Sequence, residues 1–437
     1  MREDIRSAEA AVLRLAAGTA LRDAVVVADP RAWLALDEGA RAVLPYRLEG
    51  LPQWEQAARL PADLSLLDEP RLALALCHRD GWTREAALGP AARYPGLLPL
   101  IVVRAADWVA PVRERARKTL CELLDLEAAA VLAPLILLLA RRDRGDFAAE
   151  LLAEVLRRAP REHLVRLHSH ADRAVRRFAY RLAVEKGVLS PAELVRAAVH
   201  AHDVVVQSLC ADAALAGVPD GFHEGVPEPL LAARNPRVRS AAVTALRRAG
   251  QAERAVEFLA DRSGLVRACA RYVVRQLGGD PLSWYRERCA RAGDPGLPPG
   301  AAVGLGECGQ RGDAEALWSL VQHPVAGVRA QAVAGLRLLE AVDASRLWPL
   351  LDDPAAGVVR EVTLAVLPSA RAVPEEWLVE RLGAGRPRHV RIAAFRLLVE
   401  RGGDGRRHAL LALRHDPDDE LRERAERAER IVRLRGG

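Results

Sequence analysis

Apolar and polar positions along this chain recur as a repeating block. A valine followed by an arginine returns at Val112-Arg113, Val175-Arg176, Val238-Arg239, Val266-Arg267, Val328-Arg329, Val359-Arg360 and Val390-Arg391, and Leu421-Arg422 continues the series. Small or apolar residues follow three to four and seven to eight positions later, as in Val112, Ala116 and Leu120, Val238, Ala242 and Leu246, or Val328, Ala332 and Leu336. That spacing gives a helix one buried stripe. The arginines at 329, 360, 391 and 422 are 31 residues apart, and the upstream gaps of 63, 63 and 62 are about double, so each encloses a degenerate copy. A period of thirty-odd residues predicts supersecondary units stacked in tandem, each burying its apolar face against its neighbours.

Each unit reads as two helices. The second starts near the Val-Arg pair. Before it comes a turn marked by Asn235-Pro236, His323-Pro324, Asp353-Pro354, Arg386-Pro387 or Asp416-Pro417. Proline cannot continue the first helix but suits a turn or the first position of the next. First helices carry leucines at helical spacing, as in Leu317, Trp318 and Leu320. Residues 1–68 fit no clear copy and are expected to form an irregular helical N-terminal cap on a solenoid spanning 69–437. The breaker-rich Gly293–Gly300 segment predicts a longer turn, or a bend, inside one repeat.

The pattern resembles HEAT repeats of the lyase-type, HEAT-like variety. The resemblance implies an all-α, right-handed α-solenoid of about eleven or twelve helix pairs. It also implies a ladder in which a turn aspartate and an early second-helix arginine stack along the array. Asp107/Arg113, Asp261/Arg267 and Asp416/Arg422 match it at six-residue separation, and each arginine is expected to reach that aspartate or the matching one of the adjacent repeat. Arg329 and Arg391 have His323 and Gly385 at that offset, so the ladder is expected to be interrupted there. A weaker similarity, to HEAT-like alkylpurine DNA glycosylases, rests on Trp108 beside Asp107 in turn sequence. It implies tryptophans, an aspartate and arginines on a concave face.

Composition refines this picture. Half the residues are apolar and only 4% are aromatic, which suits closely packed helices. Lys118 and Lys186 are the only lysines, so arginine carries nearly all positive charge, as GC-rich coding produces. The formal charge of +6 is small for 437 residues, but it is unevenly placed: residues 234–277 are net +7 and residues 157–181 net +6. Arg173, Arg177 and Arg181 form one stripe at four-residue spacing, and Arg267, Arg271 and Arg275 another. On a concave face such stripes could meet phosphates or an acidic protein.

Candidate chemistry is sparse. Phosphate-loop, nucleophile-elbow and zincin motifs do not occur in the sequence. His168 and His170, then His200, His202 and Asp203, lie one repeat apart and are zinc-ligand types, but a repeat spacing of about 10 Å is wide for one ion. Six cysteines without paired spacing predict reduced, buried thiols. The tryptophans at 82, 284, 318, 348 and 377 are expected in the core. The apolar run Ala128–Ala140 is about half a membrane span, so a fully buried helix is expected. The N-terminus has no signal-peptide layout, and a cytoplasmic location is expected.

The resulting expectation is a non-enzymatic scaffold, without cofactor or metal, that binds a macromolecular partner, foremost a protein, on its concave face. Arg173, Arg177, Arg181, Arg267, Arg271, Arg275 and Trp108 are the candidate contact residues. The alternative is nucleic-acid binding through the arginine stripes, with or without glycosylase chemistry.

Overall fold

The computed structural model describes residues 2–43, 63–217 and 226–435, and no strand occurs among them. The fold is an all-α solenoid. Among the described residues from Glu69 onward, twelve helix pairs follow one another, from Glu69–Leu76 with Gly81–Ala91 to Gly403–Leu413 with Asp419–Arg435. The chain divides into two compact units, residues 1–197 with 201–210, and residues 198–200 with 211–437.

Within each unit the repeat stripe is the core. Val112, Val175, Val238, Val266, Val328, Val359 and Val390 are all buried, together with Ala116, Leu120, Ala242, Leu246, Ala332 and Leu336. Small residues let second helices approach closely: Ala326–Leu338 packs against both Pro299–Cys308 and Ala356–Val366. Polar caps start many of the helices. Asp125 accepts from the Ala128 N–H, and Ser190 and Glu193 form a reciprocal capping box.

Ahead of the first pair, Arg2–Ala16 packs on Pro30–Val43 and on Glu69–Leu76, while Pro30–Val43 also reaches Leu98–Arg104 and Leu126–Leu139. Val12, Leu15, Trp33, Leu36 and Ala40 are buried there. Residues 44–62 of the expected N-terminal cap lie outside the described residues. The Gly293–Gly300 breakers form a long turn from Ala290 to Pro298, after which the next helix starts at Pro299.

Several expectations need correcting. Trp82 is 81% exposed, and Trp284, Trp318, Trp348 and Trp377 are only half-buried. Four of them lie beside cations or each other: Arg288 covers Trp284, Arg346 covers Trp318, Arg381 covers Trp377, and Trp348 meets Trp377 edge-on at 5.1 Å. In this array aliphatic side chains fill the core and tryptophans edge it, where a guanidinium can cover the ring face. Cys121 is exposed because it falls one place off the Val112, Ala116, Leu120 stripe, while Cys77, Cys210 and Cys289 are buried and all six thiols are free. The apolar helix Leu126–Leu139 is buried on one side only, with Val131 facing out. No helix among the described residues is long and apolar enough to cross a membrane.

Val328→Ala tests the stripe directly. Neighbouring alanines leave little to refill the space, so we expect a loss of about 1–2.5 kcal/mol. Urea unfolding of the variant checks it, and an unchanged midpoint would refute core placement.

Candidate functional site

The arginines sort into two populations, and the sorting starts from helix position. The fourth residue of a second helix is Arg84, Arg113, Arg176, Arg239, Arg267, Arg329, Arg391 or Arg422. From there, in all but Arg391, Nη1 turns back to the inter-helix turn. Arg84 donates to the carbonyls of His78 and Arg79, Arg239 to those of Ala233 and Arg234, and Arg329 to those of His323 and Pro324. Arg113, Arg176, Arg267 and Arg422 make the same bond to the carbonyl six residues before them.

The other edge of the guanidinium points to the following repeat. Arg84 grips Asp107 fork to fork at 2.8 and 2.9 Å, Arg239 grips Asp261 at 2.8 and 3.0 Å, and Arg329 grips Asp353 at 2.9 Å through both nitrogens. Arg391 meets Asp416 likewise. Each of these carboxylates also accepts the backbone N–H two residues on, from Val109, Ser263, Ala355 or Asp418. One carboxylate therefore caps its own turn and clamps the arginine of the preceding repeat. Bidentate pairing gives this both strength and fixed geometry.

The ladder thus runs to the aspartate of the adjacent repeat, but not through the three arginines expected: Arg113 bonds carbonyls, Arg267 binds Glu307 and Arg422 binds Asp419. Arg113, Arg267 and Arg422 reach the backbone carbonyl, not the carboxylate, of the aspartate six residues before them, and Arg329 and Arg391, which have no aspartate there, still clamp the carboxylate of the following repeat. His323 replaces the capping carboxylate, its Nδ1 accepting the Val325 N–H at 3.1 Å, and His78 and His170 do the same in their turns. Among the described residues, Arg113 and Arg176 bond only carbonyls of their own turns, and at Val359-Arg360 the arginine itself is displaced. The helix there begins at Ala356, so Val359 takes the fourth place and is buried, while Arg360 lies one place on, 67% exposed and beside Glu361.

In the first unit the ladder meets a denser network. Arg104 pairs with both Asp107 and Asp37, and Arg41 pairs with Asp37 at 2.5 Å. Trp108 is 52% exposed and lies beside two of these cations, Arg41 at 4.4 Å and Arg84 at 4.5 Å from its ring centre. The side chain of Asp107 has no exposed surface. Burial by itself would raise its pKa, but the hydrogen bonds from Arg84 and Val109 and the Arg104 charge hold it below the ordinary carboxylate value. A carboxylate so enclosed cannot face a ligand, which removes the observation behind the glycosylase resemblance.

The stripe arginines divide in the same way. Arg177 is taken by Asp203 at 2.8 and 3.0 Å, leaving Arg173 and Arg181 exposed. Arg267 and Arg271 both bind Glu307, and Arg275 is exposed. Glu307 takes the place of the turn aspartate, because Asp294 accepts the Gly296 N–H five residues before the helix start, where Asp107, Asp261, Asp353 and Asp416 stand three before. The long turn before Pro299 ends with Pro298 at the cap, so Arg267 finds no aspartate there and meets a glutamate from within the next helix. Burial favours protonating Glu307, but hydrogen bonds from Arg267 and Arg271 prevail and its pKa is lowered.

Beside this pair opens a trough of about 580 Å³ lined by Ala268, Arg271, Tyr272, Arg275, Gln276, Glu307 and Cys308. Tyr272 and, seven residues before it on the same face, Leu265 are exposed large side chains. Glu307, Tyr272 and Arg84 were not singled out from sequence. The turn before Pro299 places its aspartate, Asp294, five residues ahead of the helix start rather than three, and that displacement is the signal that Arg267 finds its carboxylate elsewhere.

The histidines are occupied otherwise. His168 stacks on Tyr180 with ring centres 3.9 Å apart, burial lowers its pKa, and His170 caps its turn. Among the described residues no group of three or more His, Cys, Asp or Glu converges as a metal site would require.

No family model matches the chain, and no curated relative matches it. Among solved structures, a crystal structure of Kap121p aligns over 92% of this chain and 52% of its own, at 15% identity and a TM-score of 0.32. Kap95 in complex with Nup1 aligns over 96% and 72%, at 12% identity and a TM-score of 0.31. Importin beta aligns over 91% and 62%, at 14% identity and a TM-score of 0.25. This chain spans about half the length of the Kap121p chain. Likeness at this level carries no functional conclusion.

Proposed function

We propose that this chain is a non-enzymatic scaffold that binds a protein partner along the exposed, concave face of its second helices. The observation that carries the reading is the partition of the arginines. Arg177, Arg267 and Arg271 are held by carboxylates and serve stacking, whereas Arg275 lies exposed beside Tyr272 in a trough on the second unit. An exposed tyrosine next to arginine is a common energetic centre of protein interfaces.

A phosphodiester backbone would instead be served by a continuous run of unpaired cations, and half of the stripe arginines are unavailable for that. Trp108, with its two neighbouring guanidiniums, is a second candidate contact on the first unit.

Affinity capture from the native host, with nuclease treatment and mass spectrometry, tests the reading. Wild-type chain is expected to retain protein partners after nuclease digestion, and a Tyr272→Ala, Arg275→Glu double variant to lose them. Recovery of nucleic acid only, with all protein lost on digestion, would contradict it.

A further inference from the structure

We infer that the trough between Gly264–Gln276 and Pro299–Cys308 is a carboxylate-binding site for an acidic peptide segment, an inference that rests on the protein-scaffold reading. The argument is one of repeated geometry. Arg267, Arg271 and Arg275 follow one another at four-residue spacing on one helix face. Glu307 bridges the first two, receiving Nε and Nη2 of Arg267 and, at 2.6 Å, Nη1 of Arg271. One turn further, between Arg271 and Arg275, the same kind of interval opens into the trough. An incoming Asp or Glu carboxylate can lie there as Glu307 lies in the first interval.

The walls fit an amino-acid side chain. Ala268 and Tyr272 offer apolar surface to the methylene stem, and Gln276 offers an amide at the Arg275 end. Leu265 extends the apolar line beyond the trough along the same helix. Counting Arg267, Arg271, Arg275 and Glu307, the local charge is +2, which excludes a cationic segment. Nucleic acid is disfavoured because only Arg275 among the three arginines is free of a carboxylate.

The test is fluorescence anisotropy of the full chain with labelled, amidated octaglutamate at physiological salt, with octaglutamine, octalysine and oligothymidine in parallel. Octaglutamate is expected to bind and the neutral and basic peptides not to. Arg275→Ala should weaken octaglutamate about tenfold or more, the loss of one charge-assisted contact. Glu307→Gln should strengthen it, because the internal carboxylate no longer occupies Arg271. Glu253→Gln, on an exposed first helix away from the trough, should change little and controls for net charge.

Octaglutamate binding that ignores both Arg275→Ala and Glu307→Gln would overturn the trough and leave the scaffold reading standing. Binding of oligothymidine alone, weakened by Arg275→Ala, would overturn the carboxylate assignment in favour of phosphate. Failure of every probe would also overturn it, with partner capture still deciding the scaffold reading.

Discussion

Asp107→Ala is expected to destabilise the first unit by about 3–5 kcal/mol, the usual effect of removing one partner from a buried ion pair. Asp107 has no exposed side-chain surface and holds Arg84 at two atoms, Arg104 at 2.9 Å and the Val109 N–H at 2.9 Å. Its loss leaves Arg84 without its carboxylate partner and Arg104 with Asp37. Urea unfolding followed by tryptophan fluorescence measures the effect, and a change below about 1 kcal/mol, as exposed pairs show, would refute the network's structural role.

The same site predicts acid sensitivity. The folded pKa of Asp107 is depressed, so its contribution is complete above the unfolded value of about 3.9 and fades as pH falls through the folded value. The wild-type chain should lose this increment below pH about 4, and the alanine variant should lack that part of the transition.

Gly306→Val is expected to cost about 3 kcal/mol, the upper part of the usual range for overpacking. A Cβ built on Gly306 would lie 2.4 Å from the Gly335 Cα, and one on Gly335 would lie 2.8 Å from the Leu317 Cδ1 and 3.0 Å from the Ala302 carbonyl oxygen. On the same helix, a Cβ on Gly304 would fall 2.2 Å from the Tyr285 ring. Backbone faces backbone at Gly306, so no side chain can swing aside. Thermal unfolding of the variant checks this, with Gly312→Val, where a Cβ meets nothing within 4 Å, as the tolerant control.

Much of the fold was legible because helical period and repeat period coincide in the Val-Arg blocks. A small residue three or four places after each valine can only serve a buried stripe. The same blocks misled at one point. Equal spacing of 31 placed Arg360 in line with Arg329 and Arg391, yet the helix at Ala356 starts 30 residues after the one at Ala326 and 32 before the one at Arg388, so Val359 fills the place. Linear spacing records repeat length, whereas the side-chain direction follows from where each helix starts.

The candidate site was legible only in part. Stripe spacing found Arg267, Arg271 and Arg275, but it cannot tell a clamped guanidinium from a free one. That distinction depends on carboxylates 22 to 40 residues away, such as Asp261 for Arg239 and Glu307 for Arg267. Tryptophans failed as core markers for a related reason. Hydrophobicity alone favours burial, while the arginines beside Trp318 and Trp377 satisfy the ring at the surface.

The central claim is that carboxylate-clamped arginines hold the array and that Arg275, held by no carboxylate among the described residues, recognises a partner. The most direct measurement compares Arg239→Ala with Arg275→Ala in the full chain, reading the urea midpoint and octaglutamate affinity of each. Arg239, clamped by Asp261 with a side chain 6% exposed, should lower the midpoint and leave binding by the folded chain near wild type. Arg275→Ala should leave the midpoint in place and abolish most of the binding. Equal loss of stability in both variants, or binding that survives Arg275→Ala but not Arg239→Ala, would contradict the account.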